Sequence, residues 1–149
     1  STFCIAELEY KLFWKAKIAI NKLMIKDFII LNCIGKSDKI GLKVNNNFYI
    51  HDFDQNTDND QLVPSILNMI KKYKVNLGKD FSIMVNSGPG SFSSTRISLA
   101  VAKGIKISKK INLFGFKDSD LGQFNLANIE LLIKKDLMQK NLIKPLYIS

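Results

Sequence analysis

Arginine is all but missing from this chain: Arg96 stands alone beside 21 lysines in 149 residues. Lysine fills every other place where a point charge serves, so the single guanidinium marks a site that wants a planar fork of donors. Histidine is as scarce, with His51 alone, and Cys4 and Cys33 add too little for a clustered metal site. One disulfide between Cys4 and Cys33 would be a poor staple, and no secretory signal precedes it, so a reduced cytoplasmic protein is expected. The longest purely apolar runs, such as Phe28 to Leu31 and Leu131 to Ile133, fall far short of the roughly 20 residues that span a bilayer, which excludes a membrane helix.

What is present is a composition of 46% hydrophobic and 23% charged residues, that of one ordinary globular domain. The net charge is +9, and residues 81–149 carry +6 of it. A basic half of this kind attracts an RNA backbone through counterion release. It also follows from an A- and T-rich coding sequence, since Lys, Asn (14) and Ile (20) are abundant together.

The pattern predicts three regions. Residues 1–27 form an extension or leader, with Leu8, Leu12, Ala16, Ala19 and Leu23 at helical spacing over Glu7 to Met24. Residues 28–117 form the main lobe. Phe28 to Ile34 suits a central strand, Ile40 to Val44 and Phe48 to Phe53 complete a three-stranded meander, and Thr57 or Asp58 caps a helix over Gln61 to Tyr73. That helix has two apolar stripes: Leu62, Ile66, Met69 and Tyr73 on one, Val63, Leu67 and Ile70 on the other. Strand Lys79 to Val85, helix Phe92 to Lys109 and strand Ile111 to Phe116 make a parallel crossover unit, so the class is α/β with five strands in a mixed sheet. Residues 118–149, with a helix over Asn125 to Gln139 and a strand over Leu146 to Ile148, are too few for a core of their own.

The most specific passage is the turn Gly88-Pro89-Gly90-Ser91-Phe92, which joins a buried strand to a helix of small residues. The glycines permit a sharp, close turn, and Ser91 or Ser93 caps the helix. Free amides at such a helix start favour an anion, so phosphate binding is one reading. It is not a P-loop, because no Lys-Ser or Lys-Thr pair follows the glycines. Ser94, Ser98 and Ala102 recur every fourth residue and give a flat groove for close helix approach, within the chain or to a partner.

At these residues the chain resembles the TsaB family, whose pattern reads Gly-Pro-Gly-Ser-Phe-Thr-Gly-Leu-Arg-Ile-Gly with an Ala-Lys-Gly step after it. Gly88, Pro89, Gly90, Ser91, Phe92, Arg96, Ile97, Ala102, Lys103 and Gly104 match, while Ser93, Ser94 and Ser98 replace small residues by small ones. Where the family's first strand ends Asp-Thr-Ser, this chain has Asn32-Cys33-Ile34 and no acidic metal anchor. The resemblance implies an RNase H-like lobe of the actin and sugar-kinase type with a truncated second lobe.

It further implies a non-catalytic subunit of the complex that places threonylcarbamoyl on the adenosine beside the tRNA anticodon. TsaD is then the direct, catalytic partner, TsaE joins within the complex, and tRNA is met indirectly or weakly. A homodimer is left open where TsaD is absent. No cofactor, metal or catalytic residue is expected. Leu62, Ile66, Met69 and Tyr73, with Ser94, Ser98 and Ala102, are the expected partner surface. Two other readings stay open, a phosphotransferase or nucleotide hydrolase of the same superfold and a basic RNA-binding module. Arg96 is expected to anchor the glycine turn through backbone carbonyls.

Overall fold

An apolar run without alternation needs cover on both faces, and the computed structural model puts β1 (Asp27–Asn32) in the middle of a five-stranded sheet. The structure describes residues 7–13, 25–53, 61–78, 80–140 and 143–146. β1 pairs antiparallel with β2 (Lys39–Val44), which turns through Asn45 and Asn46 into antiparallel β3 (Asn47–Asp52). Both turn residues sit at positive φ, the geometry that matches the strand twist of a tight hairpin and that Asn tolerates. On its other side β1 runs parallel to β4 (Phe81–Asn86), and β4 parallel to β5 (Asn112–Phe116). Meander and crossover unit thus share one mixed sheet in the order β3-β2-β1-β4-β5, the α/β architecture expected.

Successive side chains of β1 feed two separate cores. Ile29 and Leu31 join Ile83, Val85 and Leu113 under α2 (Leu62–Lys72) and α3 (Phe92–Lys109). Phe28 and Ile30 join Met84 and Phe116 on the opposite face, beneath α4 (Asp118–Leu121) and α5 (Leu126–Lys134). α4 is a single turn that the sequence pattern does not announce. The segment after Lys117, expected as the remnant of a second lobe, therefore covers the second face of this sheet, with Leu121, Ile129 and Leu132 packed on β1 and β4. A 3.3 Å ion pair from Lys43 to Glu130 adds a tie between β2 and α5.

α5 starts as expected, with the Asn125 side chain accepting from the Asn128 amide at 2.8 Å. It ends at Lys134 rather than Gln139, because Gln139 exchanges two backbone bonds with Gly115, at 2.8 and 2.7 Å, and covers the edge of β5. Residues 7–13 are helical (α1) with exposed side chains; the rest of the expected helix to Met24, the caps Thr57 and Asp58, and the end of the strand expected at Leu146 lie outside the described residues. Among the described residues no helix is long and apolar enough to cross a membrane.

Candidate functional site

The glycine turn is where β1, β4, β5 and the C-terminal segment are tied together. The Ser87 amide and hydroxyl both donate to the Phe116 carbonyl, at 2.8 and 2.9 Å, and the Asp118 amide donates to the Gly88 carbonyl at 2.9 Å. Leu146 clasps the turn from outside: its amide donates to Ser87 at 2.6 Å and its carbonyl accepts from Gly90 at 3.3 Å. The Ser91 amide donates to the Ile34 carbonyl at 2.8 Å. Gly88 has φ +102 and precedes a cis bond to Pro89. Neither glycine has room for a side chain, since a Cβ on Gly88 would fall on the Leu146 carbonyl and one on Gly90 would lie 2.6 Å from the Ile34 oxygen.

This geometry changes the phosphate reading of the turn. The amides of Ser87, Gly88, Gly90 and Ser91 are all bonded within the chain, and Ser91 spends its hydroxyl oxygen as the N-cap, accepting from the Ser94 amide at 3.2 Å. Pro89 has no amide to offer. From Ser87 to Ser91 the turn is a structural clasp, with its backbone donors bonded within the fold.

Its hub is Asn86, which sequence reasoning misses because a polar residue at a strand end reads as turn material. The side chain is fully buried. Its amide nitrogen donates to Asn32 Oδ1 at 2.7 Å and to Asp118 Oδ1 at 3.1 Å, and its oxygen accepts from the Gly88 amide at 2.9 Å. Asn32, at the position of the expected acidic anchor, thus shares the Asn86 amide with Asp118, an acid supplied from after β5. Asn86→Ala strips three bonds from buried or half-buried partners, and we expect it to lower the unfolding free energy by about 3 kcal/mol in urea denaturation.

Among the other singled-out residues, Arg96 corrects an expectation. It is exposed and lies over the Phe92 ring at 4.8 Å from the centroid, one helical turn away, instead of bonding the carbonyls of the turn. Its guanidinium is used there as a cation over an aromatic face. Cys33 is free and buried; burial, then the nearby Asp38 carboxylate, pushes its thiol well above the ordinary range, and it donates weakly to the Lys39 carbonyl. His51 is exposed on β3 beside Phe53. Among the described residues no three of His, Cys, Asp and Glu come together as metal ligands.

The expected partner stripe is also corrected. Leu62, Ile66 and Met69 point into the core beneath α2, and Tyr73 stacks on Tyr49 with ring centroids 3.8 Å apart. Ser98 and Ala102 are fully buried and Ser94 half-buried, so these small residues bring α3 down onto β4 and β5. The sheet is the nearest large apolar surface; it takes the Leu62, Ile66 and Met69 stripe of α2 and, on α3, Leu99 with the small residues Thr95, Ser98 and Ala102 that allow close approach. What the helix layer shows to solvent is the other stripe, Val63 at 45% and Leu67 at 58% exposure, with Ile70, Ile97, Val101 and Ile105 half-buried and Phe92 exposed.

No family model matches the chain. A curated relative, the tRNA threonylcarbamoyladenosine biosynthesis protein TsaB of Buchnera aphidicola subsp. Baizongia pistaciae (strain Bp), is 48% identical over 46 residues, which are 31% of this chain and 21% of that protein. Over those 46 residues the chain is similar to TsaB. Its fold agrees with the solved structure of YeaZ from Pseudomonas aeruginosa, with a TM-score of 0.58 and 17% identity over 64% of this chain and 46% of that one. A second solved structure, of an uncharacterized protein with similarity to peptidase YEAZ from Pseudomonas aeruginosa, matches with the same score and identity over 64% of this chain and 45% of its own. The chain therefore spans about a fifth of the curated relative and less than half of the solved structures it matches.

Proposed function

We propose that this chain is a non-catalytic subunit of the tRNA threonylcarbamoyladenosine modification complex and acts as a scaffold for the catalytic TsaD. The observation that carries this reading is the 48% identity to a TsaB over 46 residues. Two features support it. The donors of the glycine turn are spent on the fold itself, as befits a structural element. The outer faces of α2 and α3 keep an apolar strip that includes Val63, Leu67 and Phe92, of the kind that marks a protein contact. TsaD is the direct partner in this reading, TsaE joins within the complex, and the same strip would serve a homodimer.

The test is capture of the TsaD of the same organism by this chain, with size exclusion to read stoichiometry. A one-to-one complex is the expected result, and no complex at micromolar concentration overturns the proposal. The second reading, a phosphotransferase or nucleotide hydrolase, draws on Asp118, an acid held at the carboxyl ends of the parallel strands. Magnesium-dependent ATP turnover by the isolated chain would favour it.

A further inference from the structure

The two helix layers differ in charge. α2 and α3 carry six basic residues and no acid, whereas α4 and α5 carry Asp118, Asp120 and Glu130 against Lys134. Within the positive layer the charge is not spread evenly. α2 leads toward the start of β4 and α3 toward the start of β5, and these strands are parallel, so both helices end at the same edge of the sheet. Lys71, Lys72, Lys74, Lys106, Lys109 and Lys110 collect there, all exposed, while Val63 and Phe92 lie at the opposite ends of the same helices and Leu67 midway along α2. Two acids, Asp27 and Asp80, share the edge with these six lysines. The ion pairs among the described residues use other lysines, Lys39 and Lys43.

A lysine in the last turn of a helix offsets the macrodipole, which accounts for Lys71, Lys72, Lys106 and Lys109 as stabilisers. It does not account for Lys74 and Lys110. Both have a left-handed backbone, φ 51 and 55, just past the helix end, where glycine is the residue without a steric cost. The left-handed turn that ends each of these two helices carries a lysine, which adds Lys74 and Lys110 to the charge gathered at this end.

We propose that this edge is a docking surface for an RNA phosphate backbone, tRNA in the setting of the function proposed above, on which this part of the inference rests. Lysine ammonium groups neutralise phosphates as point charges and read no bases, so the contact is independent of sequence. A lipid surface fits less well, because among the described residues Ile107 is the one large apolar residue exposed near these lysines and membrane binding needs a whole apolar face. Val63 and Phe92, exposed at the other end of the helix layer, leave apolar surface clear of the lysine edge, so a protein partner there and an RNA can be held together.

The experiment measures binding of total tRNA to the full chain across a series of KCl concentrations. Two triple variants are compared, Lys106→Gln with Lys109→Gln and Lys110→Gln, and, as an equal loss of charge on the other side, Lys134→Gln with Lys135→Gln and Lys140→Gln. The first is expected to bind tRNA about tenfold more weakly at low salt, with a log–log salt slope smaller by about 2, and the second to stay near the parent. Equal losses in both variants, or no tRNA binding by the parent, overturn the proposal. So does tighter binding of the parent to phosphatidylserine vesicles than to tRNA at the same salt. TsaD capture by the same proteins separates the two readings: its absence beside an intact salt signature removes the subunit function and leaves the RNA surface standing.

Discussion

Gly90→Ala should cost this chain roughly 3 kcal/mol of stability, on the scale of overpacking a rigid site, and lower its Tm by on the order of 10 °C. The added methyl would meet Ile34 itself, its carbonyl oxygen at 2.6 Å, and the backbone there cannot rotate away as a side-chain tip would. Retreat would separate Ser91 from the Ile34 carbonyl and Gly90 from Leu146, so the two clasps on the turn would loosen together. The contrast is Gly104, in the helix that follows the turn and also part of the motif. Nothing lies within 4 Å of a Cβ placed there, so Gly104→Ala should stabilise the isolated chain by up to about 1 kcal/mol through helix propensity. Thermal unfolding of both variants checks the pair. A Gly90→Ala protein that unfolds within a degree or two of the parent would show that the turn is not seated on Ile34.

The same contrast shows how far the sequence could be read. The periods of two and of 3.6 residues locate all five strands and both long helices, because hydrophobic pattern is a local property of the chain. The glycine turn is legible for the same reason, since Gly88 and Gly90 are needed where they stand. What the sequence withholds is anything decided between distant segments. Asn86 becomes a hub only when Asn32 and Asp118 arrive from 54 and 32 residues away. The two stripes of α2 are displaced by one residue and are nearly equal in hydrophobicity, so periodicity states that one is inward without saying which. The sheet decides, and it takes Leu62, Ile66 and Met69. Residues 118–134 look too short to fold because their core partners, Phe28, Ile30 and Met84, lie in strands that precede them.

That inversion of the helix faces sets up the second large effect, at the outward stripe. Val63→Asp with Leu67→Asp should leave unfolding within about 1 kcal/mol of the parent, because both side chains are about half exposed and touch no buried polar network. If the strip is the TsaD contact, the pair removes two aliphatic groups and puts two carboxylates into a dehydrating interface. Central contact residues each carry about 2 kcal/mol or more, so TsaD affinity should fall by more than about 100-fold, and any homodimer should dissociate alongside. Ile66→Asp on the inward stripe serves as the opposite control. It buries a charge beneath the sheet and should unfold the chain, abolishing binding by a different route that circular dichroism reports directly. Calorimetric titration of TsaD into the folded double variant decides the matter, since full affinity with Val63 and Leu67 both altered would place the partner elsewhere on the chain.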